Sequence, residues 1–83
     1  MKVGIAGSLE SNDAMITTQE ADSLSIEISS IVDAFFHDQI EKVIRDTLKE
    51  RNIDKVKVIC QDKGALDYTI KARLITALER MEK

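Results

Sequence analysis

The chain has 83 residues, of which 43% are hydrophobic and 33% charged, with a formal net charge of −3. These values predict one globular domain over residues 1–83 with a modest core, and they argue against a disordered chain. The mild acidity and the scarcity of aromatic residues argue against a nucleic-acid-binding surface, which needs a basic patch and stacking platforms.

The cellular setting is predicted from what the sequence lacks. Cys60 is the single cysteine, so it cannot form a disulfide within the chain, which suits a reducing compartment. No apolar run approaches the length of a membrane span, and the first residues do not have the pattern of a signal peptide. We therefore expect a cytoplasmic protein that does not enter the membrane.

The first half of the chain is predicted to contain an arm and two strands. Residues 1–13 hold most of the glycines and show no sustained period, which predicts a flexible N-terminal arm. Residues 14–19 and 24–29 alternate between apolar and polar side chains, as strands do. Residues 21–23 between them would form a hairpin connection.

The second half is predicted to contain a helix, a third strand and a closing helix. The first helix has an apolar stripe with helical spacing: Val32, Phe35, Phe36, Ile40, Val43, Ile44, Thr47 and Leu48. The closing helix repeats this spacing: Leu66, Ile70, Leu74, Ala77, Leu78 and Met81. In residues 55–60 the alternation places Val56, Val58 and Cys60 on the inner face.

The order β-β-α-β-α predicts a two-layer α+β domain, in which a three-stranded sheet carries both helices on one face. The helix between the second and third strands suits a right-handed crossover between parallel strands. The first strand would then lie between these two, antiparallel to both.

The sequence contains no constellation of catalytic or metal-binding residues that could work alone. His37, the only histidine, lies beside the apolar stripe and is expected to be exposed, whereas Cys60 is expected in the core. No carboxylate pair has the spacing of metal ligands, and Lys63-Gly64 lacks the rest of a phosphate-binding loop. The sequence therefore indicates a protein that is not an enzyme by itself.

Serines in acidic loop sequence suit a covalent carrier, because a separate enzyme can reach and modify an exposed hydroxyl. Asp22-Ser23-Leu24 matches the short motif at which ordinary acyl carrier proteins take phosphopantetheine. In those proteins, however, the serine begins a helix, whereas the residues after Ser23 alternate as a strand does. We therefore interpret Ser23 as a turn residue, and Ser11 is the other candidate serine.

Three segments resemble one family, the acyl carrier (gamma) subunit of citrate lyase. Residues 6–13 read Ala-Gly-Ser-Leu-Glu-Ser-Asn-Asp, where the family typically has Ala-Gly-Thr-Leu-Glu-Ser-Ser-Asp. Residues 62–67 read Asp-Lys-Gly-Ala-Leu-Asp and residues 70–73 read Ile-Lys-Ala-Arg, both close to family sequences. The matches occur in family order and cover almost the whole chain.

The resemblance implies a carrier whose attachment residue is Ser11. The family's prosthetic group is 2'-(5''-phosphoribosyl)-3'-dephospho-CoA, joined to the serine by a phosphodiester bond after the action of a prosthetic-group transferase. Its thiol carries acetyl and citryl thioesters. The alpha subunit exchanges acetyl for citryl and releases acetate, and the beta subunit releases oxaloacetate and restores the acetyl form.

Several alternatives and details remain open from the sequence. A carrier subunit of malonate decarboxylase and a non-catalytic adaptor domain are the competing interpretations. Ser8 replaces the family's threonine and leaves a second hydroxyl near Ser11. Asn12 replaces the family's second serine, so a hydroxyl that could compete with Ser11 for the prosthetic group is absent there. Glu10 and Asp13 are predicted to help the transferase recognise the loop, whereas Asp62 would cap the last helix and Asp67 would complement its dipole.

Overall fold

The computed structural model describes residues 2–31 and 33–83, and the side chains of residues 33–35 are outside this description. Within these residues there are four strands and two helices: β1 (Val3–Gly7), β2 (Ala14–Glu20), β3 (Ser25–Ser30), α1 (Asp33–Glu50), β4 (Val56–Asp62) and α2 (Asp67–Met81). The predicted α+β class is confirmed, with one strand more than the three predicted.

The additional strand lies inside the segment that was predicted to be a flexible arm, so that prediction is wrong for Val3–Gly7. β1 pairs antiparallel with β2, from Val3 opposite Gln19 to Gly7 opposite Met15. A side chain at Gly4 would collide with the carbonyl oxygen of Ala77, which means that α2 packs directly on the β1 backbone. The glycine that resembled a loop residue therefore serves a close approach of two backbones.

The sheet order is β1-β2-β4-β3, which corrects the predicted order. β3 and β4 are parallel, as expected, but they are direct neighbours. β2 pairs antiparallel with the other edge of β4 instead of lying between the two. The predicted hairpin at residues 21–23 is also wrong, because β4 separates the strands that this segment connects.

Both helices pack on one face of the sheet and share its core. The buried strand residues alternate with partly exposed ones, and they join residues of both helices in one cluster. The members of this cluster are Ala6, Ala14, Ile16, Ile40, Ile44, Leu48, Val56, Val58, Cys60, Ile70, Leu74, Ala77, Leu78 and Met81. The helical spacing therefore identified most of the core.

Two predicted members of the apolar stripes are exposed. Phe36 is 47% exposed on α1, and Leu66 is 59% exposed because it precedes the first turn of α2. Val32 and the side chain of Phe35, which were predicted for the same stripe as Phe36, lie outside the described residues. Of the remaining α1 positions, Val43 is partly buried and packs against the core.

The first helix ends at an asparagine in the left-handed conformation. Asn52 has a φ of 56°. The amide of Ile53 donates to the carbonyl of Leu48 at 2.9 Å, and that of Asn52 donates to Lys49 at 3.1 Å. This is the Schellman arrangement, which satisfies carbonyls at the end of a helix.

Neither helix, within the part of the chain that is described, is long and apolar enough to cross a membrane.

Candidate functional site

The Ser11 loop, residues 8–13, joins β1 to β2 and carries the serine that the sequence singled out. The amide of Asp13 donates to the carbonyl of Glu10 at 3.2 Å, which closes a tight turn. Asn12 has a φ of 67°, and positive φ at this third position is what a type II turn requires. Ser11 occupies the exposed second position, and its side chain has no hydrogen bond to another described residue.

The carboxylate of Asp13 anchors the end of this turn and is only 17% exposed. Arg73 of α2 donates Nε to Oδ1 at 3.0 Å and Nη2 to Oδ2 at 3.2 Å, a two-point contact that fixes orientation as well as distance. The Ser8 hydroxyl donates to Oδ2, and the amide of Ala14 donates to Oδ1, both at 2.7 Å. These bonds, that of Arg73 foremost, lower the pKa of Asp13 from 3.8 to about 2.

A second anchor comes from the residues that follow β4. The amide of Asn12 donates to the carbonyl of Lys63 at 2.8 Å, and the amide of Lys63 donates to the carbonyl of Asp13 at 2.9 Å. This pair extends the ladder between β2 and β4, whose last strand pair is Ala14 opposite Asp62. Both residues after Ser11 are therefore held by the backbone of another segment.

Asp62 organises that neighbouring segment and does not cap α2, so the capping prediction is wrong. Its side chain is almost fully buried, and its carboxylate accepts hydrogen bonds from the Ser30 hydroxyl at 2.7 Å and the Ala65 amide at 2.8 Å. The helix begins only at Asp67, with Leu66 in the N-cap position and no side-chain cap. Asp62 lies too early in the chain to reach the free amides of that first turn.

The other residues considered from the sequence lie away from these contacts. Asp67 is in the first turn of α2, as predicted, and accepts a hydrogen bond from Gln39 at 2.8 Å. Ser23 is exposed and is followed by β3, not by a helix. Cys60 is buried in β4, where burial and then the charge of Asp62 raise the pKa of its thiol to about 12.

The single histidine faces a carboxylate of its own helix. The side chain of His37 is 40% exposed, and its Nε2 lies 3.6 Å from Oε1 of Glu41. This agrees with the expected exposed position beside the stripe. In the described part of the chain, no group of three histidine, cysteine or acidic side chains could hold a metal ion.

The three segments quoted for the family resemblance meet at the Ser11 loop. Residues 6–13 supply the turn, residues 62–67 supply the backbone that pairs with it, and residues 70–73 supply the arginine that binds its carboxylate. No role was predicted from the sequence for Ser8, Lys63 or Arg73. The sequence signal that could have identified them is that each lies in one of the three segments that match the family.

The Ser11 hydroxyl is exposed, and no described side chain forms a hydrogen bond with it. The hydroxyl is exposed on a supported turn, so another active site can reach it. A serine without an adjacent base is a weak nucleophile, and no described side chain bonds to this one. Among the described residues, therefore, none activates the hydroxyl through a hydrogen bond, and its modification would need a separate enzyme.

Comparison with known proteins connects this geometry to carriers. An acyl carrier family model described as "Malonate decarboxylase delta subunit (MdcD)" matches residues 1–81. A citrate lyase acyl carrier protein of Halothermothrix orenii is 44% identical, over 94% of this chain and 84% of that protein. The corresponding protein of Haemophilus influenzae (strain PittEE) is 47% identical, over 95% of this chain and 83% of that protein.

A further relative and a solved structure agree with these matches. A citrate lyase acyl carrier protein of Streptococcus mutans is 46% identical, over 95% of this chain and 79% of that protein. The fold is similar to a chain in the crystal structure of a Pseudomonas malonate decarboxylase hetero-tetramer in complex with malonate, with a TM-score of 0.84 and 16% identity, over 96% of this chain and 84% of that one. The chain belongs to the acyl carrier family that includes the citrate lyase acyl carrier proteins and the malonate decarboxylase delta subunit.

Proposed function

We propose that this protein is the acyl carrier subunit of a citrate lyase and that its prosthetic group is attached to Ser11. The observation that carries the proposal is the exposed Ser11 hydroxyl on a turn held by Arg73 and Lys63. Relatives at 44% and 47% identity bear the name citrate lyase acyl carrier protein, which supports the choice of this complex. In this proposal the chain is not an enzyme, and its partners are the alpha and beta subunits and a prosthetic-group transferase.

The residues at the site suit a covalently attached phosphoribosyl-dephospho-CoA. The exposed Oγ of Ser11 can attack the phosphorus of a phosphoanhydride-activated precursor in the transferase. The hydroxyl loses its proton, the phosphoanhydride bond breaks with departure of the phosphate leaving group, and a phosphodiester remains. The chemistry that this group supplies when bound is that of a thiol carrying acetyl and citryl thioesters. The chain itself provides the attachment point and a rigid base, so that each encounter between thioester and partner subunits is intramolecular.

The Ser8 hydroxyl supports Ser11 as the acceptor because it is already engaged. It donates to Oδ2 of Asp13 at 2.7 Å and accepts a hydrogen bond from the amide of Glu10 at 3.2 Å. Modification of Ser8 would break the first of these bonds and place a bulky group against a largely buried carboxylate. Ser11 has no such bond to lose.

The experiment that tests the attachment compares three serine variants. Ser11→Ala, Ser8→Ala and Ser23→Ala are each produced with the transferase system, and their intact masses are measured. We expect the covalent adduct to be absent from Ser11→Ala alone, with the thermal midpoint of that variant unchanged because the side chain is exposed. An unmodified wild-type chain would favour a non-catalytic adaptor domain instead.

A second experiment separates the two carrier systems. The family model and the fold similarity both involve malonate decarboxylase, so a decarboxylase carrier is the second candidate. The modified protein is combined with alpha and beta subunits of citrate lyase, or with the remaining subunits of malonate decarboxylase. We expect cleavage of citrate to acetate and oxaloacetate in the first mixture and no decarboxylation of malonate in the second.

Glu10 and Asp13 were both predicted to guide recognition by the transferase, and the structure gives them different surroundings. Glu10 is exposed, whereas the Asp13 carboxylate is occupied by Arg73 and Ser8. We propose that Glu10 contacts the transferase by charge and that Asp13 acts through its internal bonds. Relative to the wild type, Glu10→Gln should then slow modification more at low salt than at high salt. A variant that is modified at the wild-type rate at low salt would remove the role of Glu10.

A further inference from the structure

Arg73 connects α2 to the Ser11 loop across sixty residues of sequence. Its guanidinium forms a two-point contact with Asp13, and the two side chains are 42% and 17% exposed. Partly exposed ion pairs generally add little to the free energy of unfolding. A planar fork does, however, fix the direction of the carboxylate that it binds.

That direction matters because Asp13 is the last residue of the turn that presents Ser11. The amide of Asp13 closes the turn on Glu10, and its carbonyl accepts the amide of Lys63. With its carboxylate also fixed, Asp13 is held by both backbone and side chain. The residues before it in the turn then have one preferred arrangement.

We propose that Arg73 is a positioning residue, which holds the Ser11 turn in the conformation that the modifying transferase binds. This inference rests on the proposed function. Without the arginine, Asp13 keeps its bonds to Ser8 and to the amide of Ala14 but loses the two hydrogen bonds from the guanidinium. The turn would then occupy several conformations, and the transferase would bind only the fraction with the right one.

A purely structural role for Arg73 is the competing explanation, and the chain contains a matched control for it. Arg80, on the same helix, donates Nη1 to the carbonyl of Ile5 in β1 at 2.7 Å. It therefore also ties α2 to the β1–β2 hairpin, but not at the Ser11 loop. Loss of either arginine removes a contact between the helix and the hairpin, whereas only Arg73 contacts the turn.

The kinetic test uses Arg73→Gln, Arg73→Lys and Arg80→Gln in the full-length chain. Each is incubated below its thermal midpoint with the transferase and a phosphoanhydride-activated precursor of the prosthetic group, and adduct formation is followed by intact mass. For Arg73→Gln we expect KM for the carrier to rise about tenfold with kcat changed less than about threefold. Arg73→Lys should be intermediate because an ammonium cannot bind both carboxylate oxygens in a fork.

A second measurement reports the turn directly and needs no transferase. Hydrogen exchange of the Asn12 and Asp13 amides, which donate to Lys63 and Glu10, should be faster in Arg73→Gln by about tenfold. The same amides should exchange at the wild-type rate in Arg80→Gln. If the two variants have equal free energies of unfolding, this difference cannot come from a general loss of stability, and faster exchange that merely follows a lower free energy of unfolding in Arg73→Gln would overturn the positioning role.

The outcomes separate this inference from the proposed function. If the wild-type chain is modified on Ser11 and Arg73→Gln matches it in KM and in amide exchange, the positioning role is wrong and the carrier function stands. Equal KM increases in Arg73→Gln and Arg80→Gln would also overturn the positioning role. If the wild-type chain takes no adduct on Ser11, the proposed function fails and the positioning role falls with it.

Discussion

Two short segments of this chain place an exposed serine directly after an acidic residue. The Ser11 loop joins β1 to β2, and the Ser23 loop, residues 21–24, joins β2 to β3. Both are polar and both connect strands, so sequence composition alone does not separate them. Their surroundings in the fold are different.

The Ser11 loop is held along its length, whereas the Ser23 loop is not. In the first, Asp13 binds Arg73, and Asn12 pairs with Lys63. In the second, the described part of the chain shows one backbone hydrogen bond, from Ala21 to Lys55 at 3.4 Å. Exposure makes a serine reachable, while support from distant segments gives it a fixed presentation.

The largest expected effect comes from the glycine that leads into the Ser11 loop. Gly7 has a φ of 95°, and a side chain there would collide with the carbonyl oxygen of Ala14. Gly7→Ala should lower the free energy of unfolding by about 2–5 kcal/mol, from backbone strain and overpacking together. Urea denaturation measures this difference.

Gly64 is the matched control for that substitution. Its φ of 92° is similar, but a side chain would meet its nearest atom, Oδ1 of Asn12, at 3.7 Å, which is ordinary contact. Gly64→Ala should therefore cost about 1–2 kcal/mol, from backbone strain alone. A cost at Gly7 no greater than that at Gly64 would contradict the close packing at the start of the Ser11 loop.

The next effect tests the anchoring carboxylate by its pH dependence. The folded-state pKa of Asp13 is about 2, below its ordinary 3.8, so the folded state favours the ionised form. Its contribution to stability is fully present above about pH 4 and is lost as the pH falls through the folded pKa. Asp13→Asn should be less stable than the wild type at neutral pH, and the gap should close towards pH 2.

Asp22→Asn in the Ser23 loop provides the comparison, measured by urea denaturation between pH 2 and 7. This side chain is exposed, so its replacement should change the free energy of unfolding by less than about 0.5 kcal/mol at neutral pH. If Asp13→Asn behaved like Asp22→Asn at every pH, the two loops would not differ in support.

A smaller effect is expected at Cys60 in β4, the strand that lies between β2 and β3. Cys60 lies opposite Ile16 of β2 and Ile28 of β3 and is fully buried. Cys60→Ala should lower the free energy of unfolding by about 1–2 kcal/mol through lost packing. Modification of Ser11 should not change, because the thiol has no part in it.

The reactivity of the Cys60 thiol also tests whether Cys60 is a core residue with no part in modification. With a pKa of about 12, Cys60 should resist alkylation at pH 8 in the native state and react once urea unfolds the chain. Rapid alkylation of the native protein, or loss of Ser11 modification in folded Cys60→Ala, would mean that a working thiol has been mistaken for a core residue.

The smallest effect is expected at His37, which is remote in sequence from both loops. Its side chain is partly exposed and faces Glu41 of the same helix. His37→Gln should change the free energy of unfolding by less than about 0.5 kcal/mol and leave modification of Ser11 at the wild-type rate. A slower rate would require a contact between α1 and the transferase.

Periodicity predicted the elements whose large apolar side chains face the core. The stripe of α2 and the inward residues of β4 are where the sequence indicated them. β1 could not be found in this way, because its inward residues are Gly4 and Ala6, which leave no apolar alternation to detect. Strand order also depends on which strand edges pair in the folded chain, and the local pattern of apolar and polar residues does not record this pairing.

The candidate site was predicted in part. Ser11 was identified by resemblance, and its exposure agrees with an attachment role, which stays a prediction. The contacts of Asp13 with Arg73 join residues far apart in the chain, and no spacing rule connects them. Asp13 was therefore predicted only as a recognition residue of the loop, although its carboxylate is held by Arg73 and Ser8.

The most direct test of the carrier assignment is a peptide map of the protein after production with the transferase system. Cleavage after glutamate separates the three candidate serines, because Ser8 lies in peptide 1–10, Ser11 in peptide 11–20 and Ser23 in peptide 21–27. We predict that the whole mass of the prosthetic group is found on peptide 11–20. An adduct on peptide 1–10 or 21–27 would contradict the assignment of Ser11 as the attachment residue.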